Sequence, residues 1–463
     1  MSTTGLSALP ALTPTPPQRL ISLDAFRGIT IAGMILVNNP GSWKYVYGPL
    51  EHAPWNGWTP TDLVFPFFLF IVGVAMTFSF SSRLEQGTRR VTLVAQVARR
   101  SAILILLGLI MTGYPDPVLV PPGTNAPAAT MFSFPALRDI GPYVLFLAGL
   151  VLLFLDQPVL RFRPLTPATI RKAIAGALLV GAVVYFALDW HHFGTVTAPK
   201  FGTQLRVPGI LQRIGLCYFF ASLVVMWCDA WGRAAIGALL LIGYWALVTY
   251  VHPPAGYDAP VKDLAGLLHD WVDTRLLGMH IYSERPDPEG LLSTLPAIAT
   301  VLAGVLTGQW LRSPRDKTDK LIGLFVAANI VLVLGLWVSW VFPLNKKIWT
   351  SSYVLATAGV ALNFLALCYW LIDIKGHRKW AWPFVVFGSN AIVVYVAASM
   401  TAKILVLVQV AGGQTTAKGW LYEHVCASWA GPLNGSLVYP ILLNLFWLIP
   451  MYVLYRLKIF VKI

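Results

Sequence analysis

The segment Glu51-His52-Ala53-Pro54-Trp55-Asn56-Gly57-Trp58 places a histidine among residues that build a stiff, partly dry wall. An imidazole titrates near neutrality and can take a proton from an attacking amine or hydroxyl. Asp62 follows at the head of a long apolar run, where a carboxylate either orients the imidazole or complements a helix N-terminus. Asn38 and Asn39 close the preceding apolar run and Pro40 stops it. An amide there either caps the helix end or serves as a neutral donor to a developing oxyanion.

Other polar residues interrupt apolar surroundings. Asp24 and Arg27 stand three apart on one helical face, so they either neutralise each other or hold a substrate group. LRVPGILQRIG carries Arg206 and Arg213, and ERPDPEGLLSTLP carries Asp287 and Glu289. PLNKKIWTSSYV carries Asn345, Lys346 and Lys347, while FGSNAIVVYV carries Asn390. A polyol or amino sugar is bound by amides, carboxylates and stacking aromatics converging on one cavity. Trp55, Asn56, Asp287, Glu289, Asn345, Lys346 and Asn390 are the candidates to line it. The rival use of Asp287 and Glu289 is to favour the start of a helix.

The elements that must position these groups follow from composition. Of 463 residues, 57% are hydrophobic and 12% are charged, about half the charge of an ordinary soluble domain. A water-soluble globule or a disordered chain of this composition would expose far too much apolar surface. Segments of the length and alternation of an outer-membrane barrel are missing. The expected fold is all-α, a polytopic integral membrane helical bundle of about 12 transmembrane helices. The spans fall near 20–39, 60–80, 98–113, 140–155, 173–190, 209–228, 234–251, 291–310, 320–341, 351–371, 382–410 and 436–455.

The net charge of +14 follows topology rather than nucleic acid. The short basic links, with Arg83 to Arg100, Arg161 to Lys172, Arg312 to Lys320, Lys375 to Lys379 and the tail after Arg456, all alternate onto one face. That asymmetry predicts both termini in the cytoplasm. Residues 1–19, rich in Pro and Thr, are expected to be a disordered cytoplasmic tail ahead of a retained signal-anchor, and residues 20–463 a single transmembrane domain. The longer outer segments, rich in Gly, Pro, His and aromatics, place recognition on the opposite face. The four cysteines show neither a disulfide framework nor metal-ligand spacing, so no metal is expected.

Six blocks in register between about residues 20 and 400 resemble a known family. They are SLDAFRGITIAGMILVNNPG, HAPWNGWTPTDLVFPFFLFIVG, LRVPGILQRIGLCY, DPEGLLSTLPAIATVLAG, PLNKKIWTSSYVL and FGSNAIVVYV. The chain is similar to bacterial relatives of heparan-α-glucosaminide N-acetyltransferase, in a transmembrane acyltransferase superfamily. The resemblance implies an enzyme that carries acetyl from cytoplasmic acetyl-CoA to the amine or hydroxyl of a sugar or glycan on the periplasmic side of the inner membrane. It puts the catalytic histidine on His52 and the assisting asparagine on Asn38.

Asp24, Arg27, Arg99, Arg100 and Arg213 are the candidates to hold the anionic cosubstrate. The stretch 114–190 departs from the family pattern and is expected to be an insertion with two extra helices. Direct transfer with His52 as base and a ping-pong route through acetyl-His52 both fit, as do a monomer and a homodimer. The competing class is a sugar or lipid-linked sugar transporter or flippase, which would be built from paired inverted repeats.

Overall fold

The structure is a computed structural model. It describes residues 20–85, 89–113, 206–257, 263–278, 280–282, 284–410 and 414–461, with scattered positions between 170 and 184. Twelve helices of eight residues or more lie among the described residues. They are α1 (Ile21–Asn38), α2 (Val64–Glu85), α3 (Arg90–Gly113), α4 (Ile210–Trp227), α5 (Ala230–Tyr250), α6 (Leu264–Leu277), α7 (Thr294–Arg312), α8 (Lys317–Val338), α9 (Ser351–Cys368), α10 (Trp382–Ser389), α11 (Ala391–Leu407) and α12 (Ser428–Arg456). Strand among the described residues is confined to a two-residue ladder, Gln409–Val410 against Thr415–Thr416.

Nine helices among the described residues are long and apolar enough to cross a membrane, or ten if the bent pair α10–α11 counts as one span. The all-α polytopic membrane fold is therefore what the chain adopts. These ten align with ten of the expected spans; 140–155, most of 173–190, the 114–190 insertion and the 1–19 tail lie outside the described residues. Three boundaries differ. α3 begins at Arg90, inside the stretch taken as a basic link, and the last helix begins at Ser428. The expected span 382–410 is broken at Asn390 with a bend of 87°. The backbone leaves helical geometry there (φ −131°, ψ 42°), and the Asn390 side chain bonds the C-terminal segment, donating to the Ile459 carbonyl and accepting from the Val461 N–H.

Lipid offers helices no hydrophobic drive to associate, so close packing does the work. α2 packs along α7, where Gly73 faces Val301 and the Gly304-x-x-x-Gly308 pair faces Phe70 and Thr77. A methyl group at Gly73 or Gly304 would fall well inside contact distance of a facing backbone carbonyl oxygen. α1 meets α10 the same way through Gly28 and Gly388. On the outside, Leu239, Ile242, Ile330, Val333, Phe446 and Ile449 are exposed on α5, α8 and α12, as lipid-facing surfaces require.

Contacts sort the bundle into two ends. At one end the Asp373 carboxylate accepts from the Ser22 N–H at 3.2 Å, the Asp373 carbonyl accepts from Lys317, and Arg312 donates to the Thr77 carbonyl. This is the end that carries the basic links. The other end gathers the loops 39–63, 206–209, 280–293 and 339–350, and it holds His52.

Candidate active site

His52 lies on a loop that Asp62 organises. Residues Pro60–Leu63 form a single tight turn leading into α2, and Thr59 and Asp62 cap it reciprocally. Asp62 is wholly buried. Its Oδ2 accepts from the N–H groups of Ala53 (3.1 Å) and Thr59 (3.0 Å), and its Oδ1 lies 2.7 Å from His52 Nδ1. The Tyr353 hydroxyl of α9 donates to the Asp62 carbonyl, at 2.5 Å, and fixes the turn from inside the bundle.

A carboxylate has only lone pairs to offer, so the shared proton sits on Nδ1 and the lone pair on Nε2. The His52 side chain is 46% exposed, which leaves that lone pair within reach of solvent or substrate.

The second half of the site arrives from far along the chain. Lys346 Nζ stands 2.9 Å from His52 Nδ1, 3.2 Å from Nε2 and 3.5 Å from Asp62 Oδ1. At nearly equal distances from both ring nitrogens, Nζ lies over the face of the imidazole, off the in-plane lone pair of Nε2. Burial pushes the Lys346 amine below the usual lysine value, against the opposing pull of the Asp62 and Glu289 carboxylates.

The turn that presents Lys346 is over-determined. Asn345 accepts from the Ile348 N–H at 3.2 Å, donates to the Asn56 side chain at 3.2 Å, and gives its own N–H to Thr350. Gly57, in the left-handed region at φ 102°, donates to the Leu344 carbonyl at 2.8 Å. Trp349 is buried at φ 53°, a conformation that costs a bulky residue about 1–3 kcal/mol and survives only where its surroundings enforce it. Here Thr300 accepts from its indole, Phe65 and Tyr353 pack edge-on, and Arg213 lies 5.1 Å over its ring.

Beside this turn a carboxylate pair is held by arginine. Arg206 grips Asp287 through Nε at 3.0 Å and Nη2 at 2.5 Å, donates to Glu289, and stacks on Tyr282. Those two carboxylates raise the Arg206 pKa in spite of burial, and Arg206 in turn lowers that of Asp287. Arg213, almost fully buried on α4, donates through Nη2 to the Gly290 carbonyl and to Ser293, while its Nε and Nη1 have no partner among the described residues. From α6, Asp273 accepts from the Leu291 N–H at 2.9 Å. Arg213 and Asp273 thus clamp the turn that carries Glu289.

The candidates therefore divide. His52, Asp62, Lys346, Asn345 and Asn56 share one hydrogen-bonded cluster, and Trp55 closes its flank by donating to Asp263 at 2.7 Å. Glu289 faces the cluster through its field on Lys346. Asp287 is buried and given over to Arg206 and to the N–H groups of Tyr282 and Glu289. Asn38 is the exposed last residue of α1, and no hydrogen bond joins it to His52 among the described residues.

Asn390 is tied to Ile459 and Val461 at the bend between α10 and α11 instead of to the His52 cluster. Asp24 and Arg27 pair at 3.3 Å against Gly388, at the basic end. Arg100 lies against Tyr218 and Arg99 is exposed, both on α3, whereas Arg213 sits apart from them beside the Glu289 turn. Sequence reasoning passed over Tyr353, Asp273 and His269; the HDWVD run was the available signal for the last two.

The match with known proteins covers this site. Residues 19–116, which include His52 and Asp62, match the family described as heparan-alpha-glucosaminide N-acetyltransferase, catalytic. Heparan-alpha-glucosaminide N-acetyltransferase of Homo sapiens is 26% identical over 499 aligned residues, spanning 96% of this chain and 60% of that protein. The Mus musculus protein is 26% identical over 476 residues, with the same shares. The chain is a distant relative of heparan-α-glucosaminide N-acetyltransferase. It spans 60% of the length of these acetyltransferases.

The α6 pair yields a stability prediction. Burial lifts the Asp273 carboxyl to about 7 and, aided by the Arg213 charge, holds His269 down to about 3. A carboxyl that keeps its proton longer in the folded state destabilises progressively as pH rises from about 4 to about 7. His269 works the other way over its own window, from about 3 to the usual imidazole value. Asp273→Asn removes only the first effect. Its thermal stability relative to the native chain is expected to climb between pH 4 and pH 8. A difference that stays flat with pH would contradict the assignment.

Proposed function

We propose that the chain is a transmembrane acyltransferase. It moves an acetyl group from acetyl-CoA, supplied on the cytoplasmic side, to the amine of a sugar or glycan at the bundle end that carries His52. The observation that carries this reading is the buried Asp62 carboxylate held 2.7 Å from Nδ1 of a half-exposed His52. The membrane is the bacterial inner membrane, the basic links face the cytoplasm, and the His52 end faces the periplasm.

The chemistry is direct transfer. The acceptor amine attacks the thioester carbonyl carbon; the new N–C bond forms as the C–S bond breaks. His52 Nε2 takes the amine proton, and the imidazolium returns it to the departing sulfur. Asp62 holds the ring in the tautomer that keeps Nε2 unprotonated and then stabilises the imidazolium. Lys346 Nζ, already within 3.2 Å of Nε2, supplies positive charge to the developing oxyanion, and Asn38 is the second donor. Glu289, Asn56 and Trp55 are the residues around the same opening that bind the sugar, and the buried Asn345 holds Asn56 in place. Arg99 and Arg100 offer partners for the CoA phosphates on the other side.

The test is release of CoA by purified protein in detergent, supplied with acetyl-CoA and a panel of amino sugars. Release that depends on both substrates, with acetylated sugar recovered, supports the reading. Acetyl-CoA turnover by none of the amines, with a sugar taken up across a vesicle membrane, favours the transporter class.

A further inference from the structure

We propose that the acceptor is a lipid-linked amino sugar, whose apolar chain lies in a groove between α5, α8 and α9 and whose anionic linkage meets the turn that carries Lys346 and Lys347. This deepens the acyl-transfer reading above and rests on it. Among the described residues the groove encloses about 390 Å³, within the range of about 300–1,000 Å³ that small-molecule sites occupy. Leu241, Ile242 and Trp245 line it from α5, Trp337 and Trp340 from the end of α8 and just beyond, and Leu355 from α9.

The lining selects hydrocarbon. Its one hydroxyl, that of Ser351, is spent on the Leu241 carbonyl at 2.7 Å, so a sugar ring lying there would give up its water for little in return. Trp337 and Trp340 are 65% and 84% exposed, and tryptophans of this kind mark the level where hydrocarbon gives way to headgroups. A chain held below that level has its polar end beside the loop 339–347.

The groove is continuous with the candidate site. Ser351 follows Thr350, the cap of α9, and Thr350 and Asn345 exchange two hydrogen bonds at 3.1 and 3.0 Å. The next residue is Lys346, which lies against His52. From α5, Tyr244 beside Trp245 donates to the Ile348 carbonyl of the same turn. Lys347, half-buried on that turn, has no hydrogen bond or ion pair among the described residues, so its ammonium is available to the phosphate of a lipid–sugar linkage.

Surrounding lipid is as apolar as the groove, so the groove contributes position rather than hydrophobic drive. An acceptor anchored by its chain meets His52 with much of its translational freedom already removed.

The experiment uses the full chain in lipid nanodiscs with acetyl-CoA and two acceptors that differ only in the chain: glucosamine 1-phosphate and its farnesyl phosphodiester. The expected kcat/KM is at least about 10-fold higher for the farnesyl compound. Ile242→Trp and Leu355→Trp, which fill the groove, are expected to erase that advantage and leave turnover of glucosamine 1-phosphate unchanged. A photoreactive version of the farnesyl compound is expected to cross-link to peptides of α5 and α9, and to be displaced by excess farnesyl compound but not by excess phospholipid.

An advantage that persists in both filled variants would overturn the proposal, since partition into the bilayer alone produces it. Displacement by phospholipid would overturn it in favour of ordinary bilayer lipid, and equal loss with both acceptors in the filled variants would make the groove a packing surface or a contact between copies of the chain. Acetylation of glucosamine 1-phosphate without any preference for the farnesyl compound would overturn it and leave the acyltransferase standing. Acetylation of neither acceptor, nor of any other amine, would sink both together.

Discussion

His52→Ala is expected to lower acceptor-dependent CoA release by about 10³-fold or more, while acetyl-CoA binding changes little. The general base alone contributes about 10²–10⁴-fold in such transfers, and no other imidazole in the cluster replaces it. The fold survives the change, because the loop does not depend on the ring. Asp62 still accepts from Ala53 and Thr59, Gly57 still donates to Leu344, and Tyr353 still holds the Asp62 carbonyl. Calorimetric binding of acetyl-CoA beside a turnover assay separates the two quantities. A variant that binds and still turns over at the native rate would remove His52 from the reaction, and with it both direct and ping-pong schemes.

Asp62→Asn is expected to cost about 10²–10⁴-fold in kcat with a small change in KM, by analogy with the orienting carboxylate of a catalytic triad. The physical cause is specific. The asparagine oxygen takes over the N–H groups of Ala53 and Thr59, which lie 3.1 and 3.0 Å from one carboxylate oxygen. The amide NH₂ then points at His52, 2.7 Å from Nδ1, where the native carboxylate accepts. Nδ1 is forced to become the acceptor, the proton moves to Nε2, and the base is lost from the side that faces substrate.

Asp62 thus acts as a positioning residue through His52. Nitrogen NMR of labelled imidazole reads the tautomer directly, independent of turnover. A native tautomer together with full activity in Asp62→Asn would refute the orienting role.

Parts of this arrangement are legible along the chain and parts are not. His52 and Asp62 stand ten positions apart on one loop entering one helix, so their pairing needs only a local turn. The caps are equally local: Asp229, Asp263 and Asp316 each accept from an N–H three residues on. Lys346 comes to the same imidazole across 294 positions of sequence, and Arg206 reaches Asp287 across 81. The carboxylates of ERPDPEG read alike in sequence, yet packing buries Asp287 wholly on Arg206 and two backbone N–H groups, while Glu289 shares Arg206 and also faces Lys346. Asn390 reads as a polar residue inside a span, and only the bend and the returning C-terminal segment show what its amide binds.

The sequence by itself determined that this is a helical membrane protein, where most of its helices begin and end, which end is basic, and that a histidine–carboxylate loop opens the second span. Those properties depend on composition and on neighbours within a few turns, and a bilayer enforces them residue by residue. Only the tertiary structure decided which distant cation meets His52, which carboxylates are already neutralised, and where a span breaks. Such pairings depend on how glycine-lined helices close upon one another, and that geometry is a sum over the whole bundle that no local pattern encodes.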